Sequence, residues 1–239
     1  MARNPPWTRD ELILALELYF RLNPLHTTYR NPEIQRLSRE LNSLPAQRLA
    51  VDKGVYRNPT GVYMKLCNFL RFDPGYTGAG LRRGGRQEEI IWKEFANDTD
   101  RLSRISAAIR AGAREINVGD ADISVIEAEQ EEFEEGRILT VLHKRRERAP
   151  RLVEAKKQAV LKVTTALRCE ACGFDFYATY GALGRGFAEC HHLMPLSALS
   201  CRRRTLITDL AILCSNCHRM IHRARPMISI SELRQLIVH

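Results

Sequence analysis

The chain has no stretch approaching the roughly 18 uninterrupted apolar residues that a membrane span needs, so it does not read as a transmembrane protein. Its first ten residues, Met1 to Asp10, are polar and carry Pro5, Pro6 and Trp7 instead of an apolar core, so export is not expected. Seven cysteines without export argue against a disulfide framework. Internal repeats are also missing, which excludes a repeat array. The remaining composition, 44% hydrophobic and 27% charged over 239 residues, is ordinary for a globular chain of one medium or two small domains.

The surplus lies in positive charge. The formal net charge is +9 and the isoelectric point is about 9.4. Such a surface favours polyanions, meaning nucleic acid or an anionic membrane. The excess is shared by both halves, +5 over residues 1–120 and +4 over 121–239.

Residues 1–115 read as a compact, mostly helical domain. Thr8 opens a capping box with Glu11, and Leu12, Leu16, Tyr19 and Phe20 follow at helical spacing. Asn31-Pro32 and Asn58-Pro59 each put a capping side chain before a proline suited to a first helical turn. The helix from Pro59 carries Val62, Leu66, Phe69 and Leu70, with Cys67 read as core. A Pro/Gly-rich loop from Asp73 to Gly85 contains Arg82 and Arg83, and helices are expected over Gln87–Phe95 and Asp100–Ile109. Residues 116–136 hold six glutamates between Glu127 and Glu135, either a solvated linker or a negative flap that competes with DNA. Residues 137–239 form the remainder. There the sign flips, with ten basic residues against Glu147 and Glu154 between Arg137 and Arg168. This stretch predicts a strand over Ile138–Leu142 and a long basic helix through Lys162, with phosphate contact through residues such as Arg145 and Arg146.

The decisive pattern begins at Cys169. Cys169-Glu170-Ala171-Cys172 and Cys214-Ser215-Asn216-Cys217 are two CxxC pairs with 41 residues between Cys172 and Cys214. Two such knuckles can converge on one tetrahedral zinc; four thiolates fill the shell, so that zinc is structural. His218 and His222 stand four apart and share a helix face. His191 and His192 are adjacent, so on an extended strand they point to opposite sides. That parity suits one metal ligand and one neighbouring base. Cys190 faces away from His191 on such a strand and reads as a buried thiol. Cys201 adjoins Arg202, Arg203 and Arg204, which either grip a phosphate or are solvated.

Glu189-Cys190-His191-His192, Pro195-Leu196, Asp209-Leu210-Ala211-Ile212-Leu213-Cys214 and Asn216-Cys217-His218-Arg219-Met220-Ile221-His222 resemble the HNH, or ββα-metal, nuclease motif. The resemblance implies that His191, His218 and His222 bind a catalytic ion and that His192 is the general base. The middle Asn of the family name is matched by Asp209, with Asn216 as an alternative; either could orient the loop bearing the base. Phosphodiester hydrolysis needs a proton acceptor for water and a Lewis acid for the charge on phosphoryl and leaving oxygens. Imidazole suits Mn²⁺, Co²⁺, Ni²⁺ or Zn²⁺ better than Mg²⁺.

A second, less diagnostic resemblance rests on Trp7-Thr8-Arg9-Asp10-Glu11-Leu12, Asn31-Pro32-Glu33-Ile34, Arg57-Asn58-Pro59-Thr60-Gly61-Val62-Tyr63-Met64-Lys65-Leu66 and Ile91-Trp92-Lys93-Glu94-Phe95. These stretches are similar to the N-terminal domain of McrA-type, modification-dependent restriction endonucleases. That similarity implies a prokaryotic, cytoplasmic protein that reads double-stranded DNA carrying 5-methylcytosine or 5-hydroxymethylcytosine. A 5-methyl group is an apolar knob in the major groove and needs an apolar contact plus polar groups that fix register on phosphates. Arg57, Tyr63, Lys65 and Asn68 offer both, with Tyr29-Arg30 and Arg82-Arg83 as further candidates. Cutting both strands needs two sites and hence a two-fold homodimer. The acidic linker and Met227–Val238 are candidate interfaces.

The expectation is therefore an α+β chain: a mostly α-helical DNA-recognition domain, then a ββα-metal nuclease domain with a four-cysteine zinc site. Its partner is double-stranded DNA, and its cofactors are a structural zinc and one catalytic divalent ion. Two alternatives stay open, a mobile-element HNH enzyme indifferent to modification and a non-catalytic, zinc-stabilised DNA-binding protein.

Overall fold

The computed structural model describes residues 5–22, 24–44, 56–78, 85–118, 136–147, 149–194, 205–224 and 227–238. The chain divides into two compact units, Met1–Gln130 with Glu135–Ile138, and Glu131–Glu134 with Leu139–His239. Among the described residues no helix is long and apolar enough to cross a membrane.

The first unit is built around helix α1, Arg9–Arg21. Its capping box forms as the sequence predicts, with Glu11 N–H donating to Thr8 Oγ1 at 3.3 Å and Thr8 N–H to Glu11 Oε2 at 2.7 Å. Leu12 to Leu16 and Leu18 are almost fully enclosed, so α1 is buried on nearly every side. Helices α2 (Pro32–Asn42), α3 (Pro59–Phe69), α4 (Arg86–Phe95) and α5 (Thr99–Val118) all pack against it. Truncating one of these enclosed leucines to alanine costs about 2–5 kcal/mol. Both Asn-Pro steps start helices: Asn31 Oδ1 accepts from Glu33 N–H and Asn58 Oδ1 from Gly61 N–H, each at 2.8 Å. Helix α5 runs well past the expected Ile109, because Ala113 and Ile116 extend the buried stripe of Leu102, Ile105 and Ile109. Of the acidic segment at 116–136, residues 119–135 lie outside the described residues, as does the arginine run 202–204 with Cys201.

The expected strand over Ile138–Leu142 is instead helix α6, Arg137–Glu147. Ile138, Leu139, Leu142, His143 and Glu147 are all buried, a spacing that belongs to one helical face and not to an alternating strand. The expected long basic helix is cut in two. Pro150 cannot continue α6 and becomes the first residue of α7, Pro150–Thr164.

The rest of the second unit supports a small two-stranded sheet. After the short helix α8 (Phe176–Tyr180), β1 (Glu189–His192) pairs antiparallel with β2 (Leu210–Leu213). The register sets Glu189 opposite Leu213, Cys190 opposite Ile212, His191 opposite Ala211 and His192 opposite Leu210. Helix α9 (Ser215–Arg223) follows, giving a β–β–α order, and α10 (Ile230–Leu236) packs on α9. Cys190 and Ile212 pack with Leu167, Ala188 and Leu210 against Leu152, Val153, Val160 and Leu161 of α7. A second apolar cluster joins Ala171, Leu213, Ile221 and Leu233 to the cysteine knuckles.

Candidate functional site

The first CxxC pair sits on a turn and the second spans the start of α9. In the first, Gly173 takes a left-handed φ of +78°, which lets its N–H return to the Cys169 carbonyl at 2.8 Å. In the second, Cys214 caps α9, its Sγ accepting from Cys217 N–H at 3.4 Å. Cys172 and Cys214 place their sulfurs 3.8 Å apart. That is too long for a disulfide bond, and it matches the roughly 3.8 Å edge of a tetrahedron with Zn–S bonds of about 2.3 Å. One ligand atom from each of Cys169, Cys172, Cys214 and Cys217 falls within 4.8 Å of the others, so the four fit a zinc ion. Burial and the neighbouring sulfurs push the Cys217 thiol well up, a crowding that a cation relieves.

The imidazoles form a second group on the same β–β–α element. His191 comes from β1, and His218 and His222 share one face of α9. Their ring centroids lie 5.3 Å (His191–His218), 5.0 Å (His191–His222) and 4.7 Å (His218–His222) apart. Nε2 of His218 is 3.0 Å from Nε2 of His222. Glu189 orients His218: Nδ1 of His218 donates to Glu189 Oε2 at 2.6 Å, which turns Nε2 towards the centre. Ser215 Oγ–H steadies the same carboxylate at 2.6 Å.

Two residues of the cluster escaped sequence reading. His143 and Glu147, four apart on α6, enter it together. Glu147 Oε1 lies 2.9 Å from His143 Nε2 and 3.0 Å from His191 Nδ1. Its Oε2 lies 3.3 Å from His218 Nε2 and 3.5 Å from His222 Nε2. Ligand atoms of His143, Glu147, His191 and His222 fall within 4.8 Å of one another, a set that includes His143 and not His218; His218 joins the group through its contacts with Glu147 and His222. The signal that could have found them is a lone His and Glu at i, i+4 inside a strongly basic run.

His192 is fully enclosed beside this group, its ring centroid 5.1 Å from that of His143. Its backbone N–H donates to Glu147 Oε1 at 3.2 Å, while both ring nitrogens are buried without a hydrogen-bond partner among the described residues. Burial lowers the His191 pKa to about 4, against the raising effect of Glu147, so the ring is neutral at pH 7 and has a lone pair to give. Burial opposes charge on His218 too, but Glu147 and Glu189 outweigh it and raise its pKa. Burial likewise works against ionisation of Glu147, yet the surrounding histidines hold it far below the usual carboxylate range. The neutral ring of His191, one carboxylate and orphaned buried ring atoms are a donor set that fits a divalent cation.

The other predicted residues are placed as follows. Asp209 Oδ2 accepts from Leu206 N–H at 2.8 Å, and its carbonyl accepts from Leu193 N–H at 2.9 Å, just beyond His192. Asn216 is exposed in the first turn of α9. In the first unit Tyr29 and Arg30 are exposed, with the guanidinium 5.6 Å from the ring centre. Tyr63, Lys65 and Asn68 are half-buried, and Lys65 pairs with Glu88. Arg57 departs from the expectation of a surface contact. Its Nε and Nη2 donate to the buried Glu11 carboxylate at 2.8 and 2.9 Å, and Nη1 and Nη2 to the carbonyls of Pro5 and Pro6. Arg146 lies half-buried on α6; Arg82, Arg83 and the Arg145 side chain lie outside the described residues.

No curated protein and no solved structure matches the chain. Residues 169–224 do match a family model, and they span both cysteine knuckles, the paired strands and the histidine-bearing helix. The C-terminal part of the chain thus carries an HNH endonuclease domain.

Proposed function

We propose that this chain is a metal-dependent endonuclease that hydrolyses DNA phosphodiester bonds, directed by its first unit to DNA carrying 5-methyl- or 5-hydroxymethylcytosine. The observation that supports the catalytic half best is the convergence of His191, His218 and His222 beside the His192 ring, whose nitrogens make no hydrogen bond among the described residues. His191, His218 and His222 would hold a divalent ion, which would supply Lewis-acid stabilisation for the negative charge that develops in phosphodiester hydrolysis. His192 accepts the proton of the attacking water, a role open to its ring because neither nitrogen makes a hydrogen bond among the described residues, Nδ1 standing 3.9 Å from Glu147 Oε1. Glu189 keeps His218 in one tautomer and one orientation. Asp209 tethers the chain just past His192 through its carbonyl. The four cysteines hold zinc and fix the start of α9, so the histidines of that helix are set by the fold.

The specificity half rests on the resemblance of the first unit to modification-dependent restriction endonucleases. A cleft in that unit, lined by Trp7, Asn58, Gly61, Lys65 and Gln87 among others, offers an aromatic face beside a cation. Cleavage of both strands would use two copies related by two-fold symmetry. The test is digestion of one plasmid prepared from methylating and non-methylating hosts, with Mn²⁺. Cutting of the methylated plasmid alone supports the reading. Equal cutting removes the specificity half, and no cutting of either removes the catalytic half.

A further inference from the structure

We infer that Glu147 is a carboxylate ligand of the ion held by His191, His218 and His222, with His143 positioning that carboxylate. Both residues lie on α6, outside the matched residues 169–224. The inference rests on the nuclease reading above and deepens it: the metal centre is completed by a helix that the HNH domain does not include.

An ionised carboxylate only accepts, and a neutral imidazole carries one proton for two nitrogens. The two oxygens of Glu147 face ring nitrogens of four histidines between 2.9 and 3.5 Å, and one of them also faces a backbone N–H. His218 has already committed its Nδ1 proton to Glu189, so in the neutral ring Nε2 is a lone pair. That lone pair points at Glu147 Oε2 at 3.3 Å and at His222 Nε2 at 3.0 Å. A proton or a cation must lie between atoms this close; the single Nε2 proton of His222 can serve either His218 Nε2 or Glu147 Oε2, whereas one cation among them serves every contact at once. Separations near 3 Å are also those of neighbouring donors around one ion, about 3.3 Å for tetrahedral bonds of about 2.05 Å. The burial of Glu147 adds weight, because a carboxylate enclosed on this scale is retained only where it is paired or ligates a cation.

Coordination by Glu147 changes the chemistry of the centre. Three neutral imidazoles leave the full double charge on the ion, whereas a carboxylate reduces it by one. The oxygen donor also brings harder ions, Mn²⁺ and Mg²⁺, within reach of a site that imidazoles alone would reserve for softer ones.

The experiment titrates Co²⁺ into the full chain with its four-cysteine site already filled by zinc. It reads affinity by calorimetry and the Co²⁺ d–d absorption at saturation. The wild type should bind one equivalent. Glu147→Gln, close in shape, should bind about 100-fold more weakly and show a changed absorption envelope, because a ligand has been exchanged. His143→Ala should lose about 10-fold and keep the wild-type envelope, as removal of an orienting partner does. Mn²⁺ binding should suffer more than Ni²⁺ binding in Glu147→Gln. Retention of one zinc per chain shows that each variant is folded. Unchanged affinity in Glu147→Gln overturns the inference. So does weakened affinity with an unchanged envelope, which would make Glu147 a positioning residue only. If His191→Ala abolishes Co²⁺ binding while Glu147→Gln retains it, the inference falls and the nuclease reading stands. If the wild type binds Co²⁺ as described but cleaves no DNA, the nuclease reading falls and the ligand assignment stands.

Discussion

Arg57→Ala separates two roles that the same residue could play, and the structure predicts which. The guanidinium makes four hydrogen bonds inside the first unit, two to Glu11 and one each to the carbonyls of Pro5 and Pro6. It also lies 4.6 Å from the centre of the Trp7 ring. The paired side chains are 3% and 0% exposed. Removing one partner strands the other charge in the core, at a cost of about 3–5 kcal/mol. Glu11 would keep only the Tyr56 hydroxyl and the Thr8 N–H. The only two tryptophans, Trp7 and Trp92, both belong to this unit, so their fluorescence follows its unfolding alone. With a urea dependence of roughly 1–3 kcal/mol per molar, the midpoint should fall on the order of 2 M. Replacing both partners, Glu11→Leu with Arg57→Met, should recover much of the loss, since no charge is left alone. DNA affinity measured where Arg57→Ala is still folded should be nearly that of the wild type. An unmoved urea midpoint with abolished DNA binding would refute this reasoning and restore Arg57 as a contact to DNA.

Two further outcomes follow from the second unit. Cys172→Ser should abolish stoichiometric zinc, read by elemental analysis, and unfold the β–β–α element as judged by circular dichroism, because structural zinc binding is folding free energy of about 10 kcal/mol or more. A variant that keeps its zinc and its spectrum would show that the four cysteines do not share an ion. Burial pushes the Cys190 thiol up to about 11, so iodoacetamide at pH 8 should leave it unmodified in the native protein and label it in guanidinium. Labelling of native Cys190 as fast as a free thiol would contradict its place between α7 and the sheet.

Much of the local architecture was legible in the sequence because it is written in short-range chemistry. Thr8 with Glu11 and the two Asn-Pro steps start helices through bonds that span at most three residues. The spacing of His218 and His222 fixes a shared face in the same way. What escaped reading depends on partners far along the chain. Ile138–Leu142 is a short apolar run, and periodicity alone cannot separate a strand from a buried helix turn at that length. Glu147 looked like an interruption in a basic run. Its meaning comes from His191, His218 and His222, which are 44, 71 and 75 positions away. Arg57 read as a surface cation because its partner Glu11 is 46 residues earlier. Glu189, the residue that orients His218, was visible as part of the motif but not as a hydrogen-bond acceptor.

The most direct test of the central claim is single-turnover cleavage of supercoiled plasmid with Mn²⁺ by wild type and by His192→Ala, with ion binding measured on both. The variant should bind the ion as tightly as the wild type yet cleave about 10²–10⁴-fold more slowly, the usual contribution of a general base. Cleavage by His192→Ala at the wild-type rate, or wild-type cleavage that persists in excess chelator, would contradict that claim.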